Sequence, residues 1–376
     1  MKIRTSILFA LMCLLISACN NAERDNGVDI ECSYTSLLKM QEHEGFIKAE
    51  VINPWDTTKI LHRYILVDKS VEVPDNLPEG TVVKVPLENS VVYSSVHMAL
   101  LKEWGKLDAI TGIYDLPFIM IPEIQEMVKA GKIKDLGNSM QPEIEKVIDA
   151  MPDAILLSPY ENNSSYGKLA NTGIPIIECA DYMEVSPLAR AEWMKFYGIL
   201  YGCKDKAYGE FDGIEKEYNE IKDSIAAEDA PRPTVFTDIK LGTQWMVPGG
   251  NSTISIFLKD AGAEYLFADL PQSGSVTVSN ETVLDKCHGA DFWLIKYNST
   301  YNGYKMGYET LKSLDPVYKE FAPVNTKKVY CCDTSVSGFY EDTPFHPERL
   351  LKNLVSIFHP AGTAENGNMI YYKKLD

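Results

Sequence analysis

Positive charge is what this chain has least of. Its 376 residues carry 36 Lys and Arg against 53 Asp and Glu, a formal net charge of −17. Nucleic-acid binding draws its affinity from clustered cations on phosphates, so this balance argues against that partner. Arginine is sparse: Arg4, Arg24, Arg63, Arg190, Arg232 and Arg349 are the full set. An arginine clamp for an anionic ligand is hard to build from so few. Eight cysteines over this length do not make a disulfide-held scaffold. Beyond the N-terminus no apolar run is long enough to span a bilayer. The signatures G-x-S-x-G, G-x-G-x-x-G and the P-loop are absent, which leaves an exported enzyme without a motif. H-E-x-x-H and Cys-x-x-Cys pairing are absent too, so His43, His62, His97, His288, His346 and His359 form no metal-ligand pattern. What the chain does have is an ordinary 45% hydrophobic content, enough for a globular core.

The N-terminus is a targeting segment. Lys2 and Arg4 precede the apolar run Ile7 to Ile16, which is shorter than a membrane span. Ile16-Ser17-Ala18-Cys19 then resembles the bacterial lipobox, in which the cysteine is acylated and becomes the new N-terminus. The competing reading is an ordinary signal peptide with an incidental cysteine. Residues 1–18 are thus the signal peptide and Cys19 the lipidation site. Two or three acyl chains there hold a protein firmly on a membrane. Residues 19–31, polar from Asn20 to Asp29, form a flexible tether.

The mature chain changes texture twice. Phe46 to Val51 and Ile60 to Val67 are β-rich and flank a polar loop, which suggests a hairpin inside a β-rich addition over residues 32–80. From 81 to 186, strands alternate with helices. The strands are Thr81 to Val85, Ile133 to Leu136, Ala154 to Leu157 and Ile174 to Glu178. The helices are Val91 to Trp104, capped by Asn89 or Ser90, then Ile121 to Ala130, Pro142 to Ala150 and one near Lys168. Ala109 to Gly112 is expected to end in a turn. Such alternation implies a mostly parallel sheet with helices on both faces. Pro187 to Ala227 is helical and fits two readings: a pair of packed helices broken near Gly202, or one long helix joining two lobes, which bounds a linker over 187–230. Alternation resumes over 231–376, with strands at Thr234 to Thr237, Ser275 to Val278, Phe292 to Ile295 and Lys328 to Cys332. Helices there run from Thr253 to Ala261, Glu281 to Lys286 and Glu348 to Phe358.

A weak internal repeat supports two lobes: Pro142 to Leu156 and Ser279 to Trp293 each run from an acidic helix start to a buried strand. Together with Thr172-Gly173-Ile174-Pro175, Glu192-Trp193, Pro248-Gly249-Gly250-Asn251 and Val278-Ser279-Asn280-Glu281, these pieces resemble the ABC-transporter solute-binding proteins of ferric-siderophore, haem and vitamin B12 importers. The resemblance spans about Thr81 to Pro360. It implies two α/β lobes joined by one long helix, a ligand cleft between them, and no enzyme activity. In open α/β sheets, ligands sit beyond the carboxyl ends of the strands. Loops at those ends offer Asn89, Ser90, Tyr93, Tyr114 and Tyr160 from the first lobe. The second offers Lys240, Gln244, Trp245 and Tyr297. Aromatic rings with polar tips suit a large flat ligand, although each is also an ordinary packing residue.

With arginine missing from those loops, a corrinoid such as vitamin B12 or an iron chelate fits better than haem. The family docks one Glu of each lobe onto its permease dimer, and Glu145 and Glu281 match that pattern. Their simpler role is helix stabilisation by about 0.3–1 kcal/mol at a helix N-terminus. The implied protein is a lipid-anchored monomer of the periplasm or cell envelope, without metal or cofactor beyond its ligand. A surface lipoprotein that lacks permease docking is the alternative.

Overall fold

The computed structural model describes residues 27–161, 166–229, 231–360 and 369–376; the signal peptide and Cys19 lie outside them. Within these bounds the chain builds three five-stranded sheets and one two-stranded ribbon.

The first sheet runs β1 (Val28–Ile30), β2 (Leu38–His43), β3 (Phe46–Ile52), β4 (Ile60–Asp68) and β5 (Thr81–Val85), in that spatial order. The expected hairpin is β3 and β4, paired antiparallel. Thr81–Val85, expected to open the first lobe, instead pairs in parallel with β4. Strand length and β-branching are local signals, whereas the sheet a strand joins is set by distant partners.

The first lobe's sheet is therefore built from β6 (Ser90–Val92), β7 (Ile110–Ile113), β8 (Lys134–Asp135), β9 (Ala154–Leu157) and β10 (Ile176–Glu178), ordered 10-9-6-7-8 and wholly parallel. Two expectations give way here. Val91 and Val92 are strand rather than helix, and helix α1 spans Ser95–Glu103, with the Ser94 hydroxyl accepting from Val96 N. Ile110–Ile113 is a strand where a turn was expected. Helices α2 (Pro122–Lys129) and α3 (Ile144–Asp149) pack around the sheet.

The linker is helical in three pieces: α4 (Pro187–Glu192), α5 (Met194–Leu200) and the 23-residue α6 (Lys204–Ala226). Gly202, at φ +65°, turns the chain between α5 and α6. The apolar stripe of α6, with Ala207, Phe211, Ile214, Tyr218 and Ile225, is buried.

The second lobe's sheet contains β11 (Thr234–Thr237), β13 (Glu264–Tyr265), β15 (Phe292–Tyr297), β16 (Val329–Asp333) and β17 (Lys373–Lys374), ordered 13-11-15-16-17 with only β17 antiparallel. β12 (Trp245–Pro248) and β14 (Ser275–Val278) form the ribbon. A Cβ at Gly249 or Gly250 would lie 2.1 Å from the carbonyl oxygen of Gln272 or Ala268, which is why two glycines stand after Pro248. Helices α7 (Thr253–Asp260), α8 (Asn280–Cys287), α9 (Phe339–Asp342) and α10 (Pro347–Phe358) are among those that pack on this lobe.

The β-sheet addition is bolted to the linker. Glu192, fully buried, accepts from the backbone N–H of Ser33, Tyr34 and Thr35, each at 2.8 Å, and from Lys195 Nζ at 3.0 Å. Glu184, also buried, accepts from Leu37 N at 3.0 Å and Trp193 Nε1 at 3.1 Å, and pairs with the Thr35 hydroxyl. Successive N–H groups converging on a carboxylate make a nest that offsets the cost of burying its charge.

Candidate functional site

A cavity of about 900 Å³ lies where the parallel strands of the first lobe end. Tyr93 and Ser94 follow β6, Asp115 follows β7, Ser139 and Met140 follow β8, and Ser158 and Tyr160 follow β9. All parallel strands release their loops at the same edge, so the topology alone gathers these residues. Tyr166 and Lys168 close a further side.

The Tyr93 ring lies 4.4 Å from that of Tyr114, which is fully buried beneath it. Burial, then the neighbouring Tyr114 phenol, raises the Tyr93 pKa far above the usual tyrosine range. Burial and a hydrogen bond to Glu178 do the same for Tyr166. Both phenols are neutral at physiological pH, so they offer rings and hydroxyls rather than phenolate charge. Tyr160 and Met140 stand exposed at the cavity, 61% and 84% respectively, and offer apolar surface to an occupant. Lys168 is the one cation among the described lining residues.

Of the sequence-expected residues, Tyr93 and Tyr160 line this cavity and Tyr114 supports its floor. Asn89 and Ser90 sit at the opposite, amino-terminal end of β6, because Thr81–Val85 belongs to another sheet. There Asn89 N–H donates to Asp153 Oδ2 at 3.0 Å, and the buried Ser90 hydroxyl donates to Ala109 O at 2.8 Å. In the second lobe Lys240 is ion-paired with Asp315 and Gln244 is exposed. Tyr297, half-buried, stacks on Tyr304 at 6.5 Å. Trp245, expected to stack on a ligand, is instead 1% exposed, within 6.4 Å of the rings of Phe236, Trp293, Tyr318 and Phe321. None of these four lines the cavity. Tyr166 and Met140 carry no signal in the sequence, since they fall in irregular segments without periodic pattern; Lys168 marks only an expected helix there, and lies in a turn ahead of the short 3-10 helix Ala170–Thr172.

Glu145 and Glu281 are both exposed in the first turns of α3 and α8. A backbone hydrogen bond at its own N–H and the Ser279 hydroxyl lower the Glu281 pKa.

The lobes touch beside the cavity. Ser95 Oγ donates to Glu341 Oε1 at 3.2 Å. Further along α1, Glu103 Oε2 meets His346 Nε2 at 2.7 Å, and Arg349 reaches Glu103 at 3.6 Å and Asp342 at 2.6 Å. Trp104 Nε1 donates to Glu210 of α6 at 2.7 Å. Burial alone would lower the His346 pKa, but the Glu103 and Glu348 carboxylates outweigh it and raise it to about 9.

Twin α/β lobes, a helical linker and an aromatic cavity at the strand ends fit a solute-binding protein. The sequence profile of the family described as periplasmic binding protein matches residues 91–336, and the chain belongs to that family. It is similar to an uncharacterized lipoprotein of Methanocaldococcus jannaschii, 25% identical over 361 residues, covering 88% of this chain and 83% of the relative. Its fold is similar to that of a protein of the ABC-type Fe3+-hydroxamate transport system of Saccharomonospora viridis, at TM-score 0.54 and 17% identity over 73% of this chain and 94% of the other. A periplasmic haem-binding protein of Roseiflexus matches at TM-score 0.56 and 15% identity, over 73% of this chain and 99% of the other. Members of this family bind solutes and are not enzymes. Among the described residues no helix is long and apolar enough to cross a membrane.

Proposed function

We propose that this chain is the capture component of an ABC importer whose ligand is a large, weakly charged metal chelate, a corrinoid or a neutral iron chelate. The observation that carries the reading is the cavity of about 900 Å³ walled by Tyr93, Tyr160 and Tyr166, without arginine among its described lining residues. That volume stands near the top of the roughly 300–1,000 Å³ range of pockets that bury drug-sized ligands. Haem propionates and catecholates call for arginine clamps that this wall lacks. The likeness to the Saccharomonospora protein of an Fe3+-hydroxamate transport system supports an iron chelate as ligand.

Lipid on Cys19 tethers the protein to the cell envelope, in keeping with its lipoprotein relative. The exposed carboxylates of Glu145 and Glu281, one on each lobe, dock onto the permease dimer. Titration calorimetry against cyanocobalamin, ferrichrome and haemin tests the ligand class. One of the first two should bind with a stoichiometry of one and more tightly than haemin. Silence with both, or haemin binding tightest, overturns it.

A further inference from the structure

A second cavity, about 590 Å³, lies between the N-terminal sheet and the first lobe, and Tyr166 lines both it and the ligand cavity. The shared wall is held by a chain of polar contacts. The Tyr166 hydroxyl donates to Glu178 Oε1. Glu178, at the end of β10 and only 5% exposed, presents its other oxygen to His62 Nδ1 at 3.3 Å. His62 Nε2 meets the Thr81 hydroxyl at 2.8 Å, and its ring stacks on Tyr64 at 4.5 Å. Tyr64 ties down the same strand: its hydroxyl donates to Ile176 O at 3.0 Å and accepts from Glu178 N at 2.8 Å, satisfying both groups on the free edge of β10. His62, Tyr64 and Thr81 all belong to the N-terminal sheet. Tyr166 itself sits at φ +43°, a left-handed conformation that a tyrosine holds only when its surroundings fix it.

We propose that the N-terminal sheet sets the shape of the ligand cavity, with His62 and Glu178 acting as positioning residues for Tyr166. The sheet is thereby part of the specificity of the site rather than a separate module. This rests on the reading of the larger cavity as the ligand site.

The test is a double-mutant cycle with His62→Ala and Tyr166→Phe, titrated with cyanocobalamin and ferrichrome. His62→Ala should weaken whichever probe binds by about tenfold. In the Tyr166→Phe background the same change should cost nothing further, because both act through one hydroxyl. Arg63→Ala, on the neighbouring residue but paired with Glu50 at 2.8 Å, should leave affinity unchanged. Equal losses from His62→Ala and Arg63→Ala, or additive losses in the cycle, overturn the proposal. Hydrogen exchange decides the matter even if neither probe binds and the ligand assignment fails. His62→Ala should speed exchange across residues 166–172 and leave α1 unaffected, and unchanged exchange in 166–172 refutes the positioning role.

Discussion

Replacing Glu192 by alanine should loosen the whole N-terminal addition from the linker. The carboxylate is fully buried and takes three backbone N–H groups at 2.8 Å and the Lys195 ammonium at 3.0 Å. Hydrogen bonds to a charged group contribute about 1.5–3 kcal/mol each, so a plain sum would be very large. The sum is not reached. The segment carrying Ser33 to Thr35 lies near the surface, and its freed N–H groups can be rehydrated. Lys195, 8% exposed, cannot escape so easily and keeps the Glu31 carbonyl at 3.0 Å and the face of the Phe211 ring, 4.6 Å from its Nζ, but no anion. Removing one partner of a buried pair typically costs about 3–5 kcal/mol, and that is the loss expected for Glu192→Ala. Glu192→Gln, which keeps the shape and an acceptor oxygen, should cost about half as much. Urea unfolding followed by tryptophan fluorescence reads both, since Trp193 adjoins the site and stability falls linearly with denaturant. A Glu192→Ala loss below about 1 kcal/mol, the size of an ordinary surface substitution, would refute the reasoning.

Other consequences are equally open to measurement. His346 is raised to about 9 in the fold and is about 6.5 unfolded, so its contribution is complete below pH 6.5 and lost as pH climbs through 9. Stability should fall between pH 6.5 and 9 in the native protein, and His346→Gln should flatten that decline; an identical slope in the variant would contradict the interlobe pairing. Trp245→Ala should cost about 3–5 kcal/mol of stability while chelate affinity in the folded fraction holds, as fits a core ring; a selective loss of affinity would return Trp245 to the site. Glu145→Ala with Glu281→Ala should leave chelate affinity intact and abolish uptake through the cognate permease, read as accumulated radiolabelled chelate; normal uptake would remove the docking role.

Much of the architecture was legible because parallel α/β segments announce themselves locally. Ala154–Leu157, Thr234–Thr237 and Ser275–Val278 are strands at the expected residues, and the helix break falls at Gly202 as one of the two readings had it. The failures share a cause. Thr81–Val85 has the composition of any short strand, and only its distant partner β4 decides its sheet. That one assignment moved Asn89 and Ser90 from the carboxyl to the amino end of β6. Trp245 looks like a ligand-stacking ring until Phe236, Trp293, Tyr318 and Phe321 close around it from three other segments. Tyr166 was illegible for the same reason. Its partner Glu178 lies on a strand, and His62 is more than a hundred residues earlier, so no spacing in the sequence connects them.

The most direct test of the central claim is calorimetric titration of the bound chelate, cyanocobalamin or ferrichrome, into the native protein and into Tyr160→Ala. Tyr160 is 61% exposed, so its removal should spare the fold. Loss of about tenfold in affinity at an unchanged one-to-one stoichiometry is expected, the usual weight of an aromatic anchor. Undiminished affinity in Tyr160→Ala would mean that the chelate is held elsewhere and that the tyrosine-walled cavity is not the site.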